Sequence, residues 1–161
     1  MTGPGDQVEV RVARPGDEAE VTRLMAAFRD FYGDSEPPDE LIGRVVGKLI
    51  GDDDTEFLLA GTPALGVAQL RFRPSVWTGT DDAWLEDLFV LEPARRKGVG
   101  RALVEACAER SRARGCKRLQ LDTNETNTTA LALYQRIGFV TAKRSEDRGR
   151  DLYLTHWLDA E

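Results

Sequence analysis

Residues 84–100 read WLEDLFVLEPARRKGVG. Five of the first seven residues are apolar, which predicts a buried β-strand with an acidic pair at its centre. A basic loop with two glycines follows, and apolar residues at helical spacing then predict a helix from Gly98 to Arg114. The first N–H groups of a helix have no intrahelical partner, and glycines leave them unshielded. We therefore expect the loop to bind an anion such as a phosphate.

The glycine spacing of this loop excludes two other phosphate-binding motifs. Gly98 and Gly100 lack the third glycine of a dinucleotide-binding fingerprint, and no Gly-Lys followed by Ser or Thr completes a P-loop. A solvated basic turn has the same composition, so a surface loop without a ligand stays an alternative.

Charge is distributed unevenly along the chain. Residues 94–118 hold nine bases and two acids, whereas the remaining residues hold thirteen bases and twenty-six acids, within a net charge of −6. This asymmetry favours an anion at the basic segment and a cation elsewhere, although a purely solubilising surface would carry the same charges. The acidic residues of interest are Glu36, Asp39, Glu40, Asp52, Asp53, Asp54, Asp81 and Asp82.

Hydrophobic periodicity predicts the element order β-α-α-β-β-β-α-β-α-β-β. Asp17 and Glu20 have the spacing of a capping box at the start of the first helix. A strand–helix–strand unit between residues 84 and 121 implies a parallel pair, and a hairpin around Gly61 implies antiparallel neighbours. The predicted class is therefore α+β, with a mixed central β-sheet flanked by helices. Strands are expected at Val8–Ala13, Glu56–Ala60, Ala64–Phe72, Ala83–Val90, Arg118–Leu121, Phe139–Val140 and Asp151–Trp157, and helices at 17–31, Pro38–Ile50, Gly98–Arg114 and Thr128–Ile137.

Length and composition limit the class of protein. The 161 residues predict one domain, residues 8–161, after a flexible tail of residues 1–7. No run approaches the roughly 20 apolar residues of a membrane span, and no secretory leader is visible, so we expect a cytoplasmic protein that contacts no membrane. Two cysteines and one histidine argue against a metal site. Nucleic-acid binding is disfavoured because the acidic remainder would repel phosphates.

Two motifs in this order resemble the GNAT N-acetyltransferase superfamily. Arg95-x-x-Gly98-x-Gly100, directly after the buried strand, resembles the family's coenzyme A pyrophosphate loop. Asn127, Tyr134 and Gly138-Phe139 downstream resemble its second motif. The resemblance covers roughly residues 8–157, and residues 85–90 are most similar to the diamine and polyamine acetyltransferase branch.

The resemblance implies the acyl-CoA N-acyltransferase (GNAT) fold, with acetyl-CoA as the acetyl donor and no metal. The donor would enter where the strand of residues 84–90 diverges from that of residues 118–122. Main-chain groups of the first strand would bind the pantetheine and the thioester carbonyl, and amides of the basic loop would hold the pyrophosphate. The cofactor-binding residues expected from the resemblance are Leu88, Phe89, Val90, Arg95, Arg96, Lys97, Gly98, Val99, Gly100, Arg101, Asn127 and Ala130.

Direct attack of an amine on the thioester requires proton transfer, because an alkylamine with a pKa of about 10.4 is protonated near neutrality. The resemblance implies Glu86 as the base, and we expect burial to raise its pKa. Asp87 is a rival base or a substrate-binding residue, and strand alternation sends the two side chains to opposite faces unless a bulge reorients them. Tyr134 is the candidate acid for the CoA sulfur. Ion pairing of either carboxylate, packing of Tyr134 and helix capping by Asn127 are the structural alternatives.

The favoured function is an acetyl-CoA-dependent N-acetyltransferase acting on a primary amine such as a polyamine, aminoglycoside, amino acid or peptide amine. The alternative is a non-catalytic acyl-CoA-binding regulatory module, which would need neither Glu86 nor Tyr134. In this family the acidic residues named above border the acceptor cleft, which predicts a cationic acceptor. The resemblance also implies a homodimer.

Overall fold

The computed structural model describes residues 7–141 and 154–158. They form two compact units, which meet in the sequence between Leu121 and Asp122. The first unit holds five strands and three helices, and the second holds one helix. The strands are β1 (Val10–Val12), β2 (Thr55–Ala60), β3 (Gly66–Ser75), β4 (Thr80–Val90) and β5 (Leu119–Gln120), and the helices are α1 (Glu18–Phe31), α2 (Asp39–Leu49), α3 (Val99–Ala113) and α4 (Thr128–Ile137).

The five strands form one mixed sheet in the order β1-β2-β3-β4-β5. The pairs from β1 to β4 are antiparallel, whereas β4 and β5 are parallel and joined through α3. A parallel pair needs such a crossover because its strands start at the same end of the sheet. The predicted mixed sheet flanked by helices is therefore confirmed.

Strand register assigns the helices to two faces of this sheet. Phe57, Val67 and Phe89 share one face and pack with Val21 of α1 and Val46 of α2, so we call it the α1 face. The opposite face is covered by α3 and is called the α3 face. Contact is so close there that a Cβ on Gly66 would lie 3.0 Å from Cδ1 of Leu103 and 3.1 Å from Cγ1 of Val99, the first residue of α3.

The predicted capping box at the start of α1 is wrong. The Asp17 carboxylate makes no capping bond and accepts instead from both Nη atoms of Arg11, at 2.7 and 2.9 Å, and from the Arg14 N–H at 2.8 Å. Glu20 accepts from the Ala64 N–H at 2.6 Å. Groups outside α1 therefore engage both carboxylates, and Glu20 also pairs with Arg23 of the same helix at 3.0 Å. The spacing of side chains within the helix cannot reveal the partners outside it.

The two strands expected last in the chain are not formed in the described residues. Phe139 and Val140 have no strand pairing, and neither do residues 154–157. Part of the second prediction, residues 151–153, lies outside the described residues. A strand exists only through its neighbour, and no described residue pairs with these segments.

Candidate active site

A β-bulge at Glu86 overturns the simple alternation expected for the acidic pair. Leu85 lies opposite Leu70 and Asp87 lies opposite Gln69, so Glu86 is an extra residue on β4. Residues directly opposite each other share a face, which puts Asp87 on the α1 face with Gln69. Glu86 Oε2 lies 3.5 Å from Nε of Arg71, another residue of that face. Both carboxylates are therefore on the α1 face.

The burial expected to raise the pKa of Glu86 is not observed. The Glu86 side chain is 41% exposed and forms an ion pair with the Arg71 guanidinium at 3.5 Å. Asp87 is half-buried beside Gln69, which is itself buried. Asp87 is thus less exposed than Glu86, and the choice between the two as base stays open.

One edge of β4 is open beyond Trp84. Pairing with β5 is limited to Ala83 opposite Leu119 and Trp84 opposite Gln120, while β4 continues to Val90. Within the part of the chain that the structure describes, no strand pairs with residues 85–90 on that side. This is the divergence of the two strands that the sequence resemblance implies.

Leu88 and Val90 direct their main-chain groups to this open edge. The Leu91 N–H donates to the Leu65 carbonyl at 2.9 Å, toward β3. Because direction alternates along a strand, the N–H and C=O groups of Val90 and Leu88 point the other way. Phe89, also expected to bind cofactor, directs its main chain toward β3 and its ring into the core.

The loop from Arg95 to Gly100 presents backbone N–H groups at the start of α3. Arg96 has φ 62° and Gly98 has φ 81°, so two residues of the loop adopt the left-handed conformation. Turns of this kind aim successive N–H groups into one concavity, which suits an anion. Like α1 and α2, α3 has no side-chain cap at its N-terminus, but it differs from them in having no acidic residue in its first turn, where α1 and α2 each have two.

Arg95 uses its side chain within the protein. Its Nε donates to the Val90 carbonyl at 3.0 Å, and its guanidinium lies 4.3 Å from the ring centre of Phe31 and 5.7 Å from that of Phe89. The side chain therefore joins the end of β4 to the end of α1, and its main chain remains part of the loop. Arg96 and Lys97 are exposed and, among the described residues, have no ion pair.

Most of the rest of the basic segment is neutralised inside the first unit, whereas Arg112 and Lys117, toward the far end of α3, have no ion pair among the described residues. Arg101 pairs with Glu105 at 2.8 Å and Arg110 with Glu56 at 2.6 Å. At the far end of α3, about 22 Å from the loop for a helix of 15 residues, Arg114 pairs with two carboxylates. Near the loop, the charge available for an external anion is therefore that of Arg96 and Lys97.

Ion pairs with Arg114 and Arg118 take up three of the eight acidic residues expected to border the acceptor cleft. Arg114 contacts Asp54 and Asp81 at 2.9 and 3.1 Å, and Arg118 contacts the buried Asp82 at 2.6 Å. The pairing with Arg118 lowers the pKa of Asp82 below its usual value. Those three carboxylates are already paired with arginines, so we do not expect them to bind an acceptor.

The second unit contains the remaining predicted residues, on α4. Asn127 precedes the helix and its Oδ1 accepts from the Ala130 N–H at 3.3 Å, which confirms the capping role. Tyr134 is buried and its ring lies 5.7 Å from that of Phe139. Packing therefore accounts for the Tyr134 ring, and its proposed role as an acid stays a prediction.

The described residues give little support to a cysteine nucleophile, a metal site or a membrane-spanning helix. Burial raises the pKa of the Cys107 thiol to about 12, so it is not a thiolate near neutrality. Among residues 7–141 and 154–158, no three His, Cys, Asp or Glu side chains are grouped so that they could hold a metal ion. No helix in the same ranges is long and apolar enough to cross a membrane.

Comparison with known proteins shows the family to which this chain belongs. The family model described as the acetyltransferase (GNAT) family matches residues 18–139. The chain belongs to this family. An aminoglycoside N(6')-acetyltransferase of Klebsiella aerogenes is 40% identical over 79 residues, or 47% of this chain and 51% of that protein, so the match spans about half of the relative. A D-amino-acid N-acetyltransferase of Saccharomyces cerevisiae is 26% identical over 86% of this chain and 88% of its own.

Solved GNAT structures share the fold. A chain from Arthrobacter sp. FB24, assigned provisionally as an acetyltransferase, superposes with a TM-score of 0.85 at 29% identity, over 98% of this chain and 99% of its own. An aminoglycoside N-acetyltransferase crystallised with CoA superposes with a TM-score of 0.75 at 20% identity, over 98% of this chain and 100% of its own. The identity of the second is low, so it shows the fold alone.

Sequence reasoning missed four residues that share a face of the sheet with Glu86 and Asp87. They lie on the α1 face of β3 and β4. The two arginines could have been predicted from the sequence, because they alternate with the apolar Phe72 in the second half of β3. Such alternation indicates that one face of the strand is polar there. The four residues are Gln69, Arg71, Arg73 and Trp84.

Proposed function

We propose that this chain transfers the acetyl group of acetyl-CoA to a primary amine at the open edge of β4. The observation that carries the proposal is the junction of two features: the unpaired edge of residues 85–90 leads directly into a basic loop whose backbone N–H groups have no side-chain cap. An extended edge suits an amide-rich chain such as pantetheine, and a helix N-terminus suits a pyrophosphate.

The donor residues follow from this arrangement. Backbone N–H groups from Arg96 to Arg101 would hold the pyrophosphate, with Arg96 and Lys97 adding positive charge. Main-chain groups of Leu88 and Val90 face the open edge, where an N–H can stabilise the charge that develops on the thioester oxygen. Loss of one such donor typically costs about 3 to 4 kcal/mol in the barrier. The side chain of Arg95 supports the Val90 carbonyl instead of contacting phosphate.

The acetyl transfer removes two protons from the ammonium form of the acceptor and adds one to the leaving thiolate. A carboxylate of the α1 face, Glu86 or Asp87, takes the first proton, directly or through water. The amine nitrogen then forms a bond to the acetyl carbon while the carbon–sulfur bond breaks. The thiolate takes a proton from Tyr134, a role we assign on the strength of the family motif that includes Asn127, and the second proton of the nitrogen restores the Tyr134 hydroxyl, directly or through water.

The acceptor is an amine, and the relatives indicate its range. The two relatives described above are named for aminoglycosides and for D-amino acids. A non-catalytic CoA-binding module is not favoured, because these relatives are named as enzymes. The cytoplasmic location and the homodimer stay predictions from the sequence.

A thiol-release assay across amine classes tests this function. We expect CoA thiol to appear only when acetyl-CoA and a suitable amine are both present, and titration calorimetry should show acetyl-CoA binding without the amine. Binding without thiol release, for every polyamine, aminoglycoside, amino acid and peptide amine tried, would instead establish the regulatory module.

Two glycines at opposite ends of α3 provide a matched pair for the loop assignment. Gly98 has φ 81° and Gly115 has φ 86°, and a Cβ on either would meet no atom within 4 Å. The conformational strain of Gly→Ala is therefore similar, about 1 kcal/mol at each site. We expect Gly98→Ala to weaken acetyl-CoA binding and Gly115→Ala to leave it unchanged. Equal effects of the two substitutions on acetyl-CoA binding would refute the assignment of the anion site to this loop.

A further inference from the structure

Two arginines of β3 lie on the α1 face, and one of them, Arg71, contacts the candidate base Glu86. Arg71 lies opposite Trp84, and Arg73 holds its guanidinium 5.4 Å from the Trp84 ring centre. Residues two apart on a strand share a face, so both arginines are on the face that carries Glu86 and Asp87. Two cations and two carboxylates thus share one face of the sheet.

The hydrogen-bonding capacity of these arginines is not used within the described residues. Arg71 is 48% exposed, and its 3.5 Å contact with Glu86 is an ion pair without a hydrogen bond. Arg73 contacts a ring only. By contrast, Arg110 and Arg118 each donate two hydrogen bonds of 2.6 to 2.8 Å to carboxylates of the same sheet.

The carboxylate opposite Arg73 is already bound to other residues. Asp82 lies opposite Arg73 but is buried and bound to Arg118 and to the hydroxyl of Thr78. Arg73 therefore stays without a carboxylate partner among the described residues, although it lies on a strand next to one.

We propose that the acceptor carries a carboxylate beside its amine, and that Arg71 and Arg73 bind this carboxylate while Glu86 and Asp87 receive the ammonium group. The inference rests on the acetyl transfer proposed above. The planar guanidinium presents paired N–H donors that match a carboxylate, and such charge-assisted bonds are strong. An acceptor with positive charges alone would be repelled by both arginines.

Binding of the carboxylate also has a consequence for the base. Arg71 is the only cation in contact with Glu86 among the described residues. An acceptor carboxylate that binds Arg71 weakens this ion pair, so that Glu86 can bind the ammonium group of the acceptor instead. The acceptor would in this way prepare the site for its own deprotonation.

Matched acceptors test the inference with the full chain. Lysine and cadaverine differ only by the carboxylate, as do phenylalanine and phenethylamine. For the wild type we expect kcat/KM to be at least about tenfold higher for an amino acid, whether the L or the D enantiomer, than for its decarboxylated partner. The reason is that the free energy of one charge-assisted hydrogen bond corresponds to a factor of about ten or more.

Variants separate carboxylate recognition from a structural role. Arg71→Gln and Arg73→Gln should each lower kcat/KM for the amino acids about 10- to 100-fold, with less than about threefold change for the decarboxylated amines. Arg71→Lys, which keeps the charge but loses the paired donors, should fall between. Arg112→Gln is the control, because Arg112 is exposed on α3 and has no ion pair among the described residues.

The outcomes distinguish this inference from the function on which it rests. A wild type that acetylates the decarboxylated amines as well as the amino acids overturns the carboxylate site while acetylation stands. An equal loss for both acceptor types in Arg71→Gln and Arg73→Gln assigns the arginines a structural role and overturns it as well. Failure to release thiol with any amine overturns the proposed function, and the inference with it.

Discussion

Replacement of Gly66 by alanine tests how the sheet positions the donor loop. A Cβ there would lie 3.0 Å from Cδ1 of Leu103, 3.1 Å from Cγ1 of Val99 and 3.0 Å from the Phe89 carbonyl oxygen. The two side chains can shift, but the carbonyl belongs to the paired strand β4 and cannot move without opening the ladder. The relief must therefore displace the first turn of α3, which carries the anion-binding N–H groups.

The expected magnitude follows from two opposing effects. Overpacking typically costs about 1 to 3 kcal/mol, and alanine recovers about 0.4 to 1 kcal/mol by restricting the unfolded chain. The net loss in the free energy of unfolding is about 1 to 2 kcal/mol, which lowers Tm by roughly 2 to 8 °C for a chain of this size. We also expect weaker acetyl-CoA binding, because the displaced turn carries the loop.

Calorimetric melting and acetyl-CoA titration measure these effects against Gly47→Ala. Gly47 lies inside α2, and a Cβ there would meet no atom within 4 Å. Helix propensity predicts that Gly47→Ala stabilises the protein by roughly 0.5 to 1 kcal/mol without a change in binding. A Gly66→Ala variant with wild-type Tm and wild-type acetyl-CoA affinity would refute the argument from close packing.

Three further predictions concern titrating groups. Glu86→Gln should lower turnover most at mildly acidic pH and recover as pH rises toward the pKa of the amine; if Asp87→Asn alone removes the acidic limb of the pH–rate profile, Asp87 is the base. The Asp17 carboxylate, whose pKa the Arg11 hydrogen bonds lower to about 2, stabilises the fold above its unfolded pKa near 3.8 and ceases to do so as pH falls through 2. Asp17→Asn should therefore cost about 1 kcal/mol at pH 7 after allowance for solvent screening, and denaturant titrations should show this difference disappearing between about pH 4 and 2. Cys107→Ala should retain turnover, and the buried Cys107 thiol, with a pKa of about 12, should resist alkylation of the folded protein at pH 7; rapid labelling would contradict its burial.

Local features of the chain were sufficient to predict the parallel β4–α3–β5 unit, the loop at Gly98 and the cap at Asn127. Each depends on residues close together in sequence: a run of apolar residues, a glycine at a helix start, or a side chain that reaches the N–H three residues ahead. The antiparallel hairpin of β2 and β3 was predictable for the same reason, since its turn lies between adjacent apolar segments.

Tertiary structure decided where the charged side chains act. The bulge that puts Glu86 on the same face as Asp87 depends on the register of β4 against β3, and no periodicity of β4 alone contains that information. The basic segment looked uniform in sequence, yet α3 is long enough to separate a free cationic loop from a C-terminal end paired with Asp54 and Asp81. The physical reason is that ion pairs and register join residues far apart in the chain. Composition counts their charges, but only the packed sheet determines which of them remain available to a ligand.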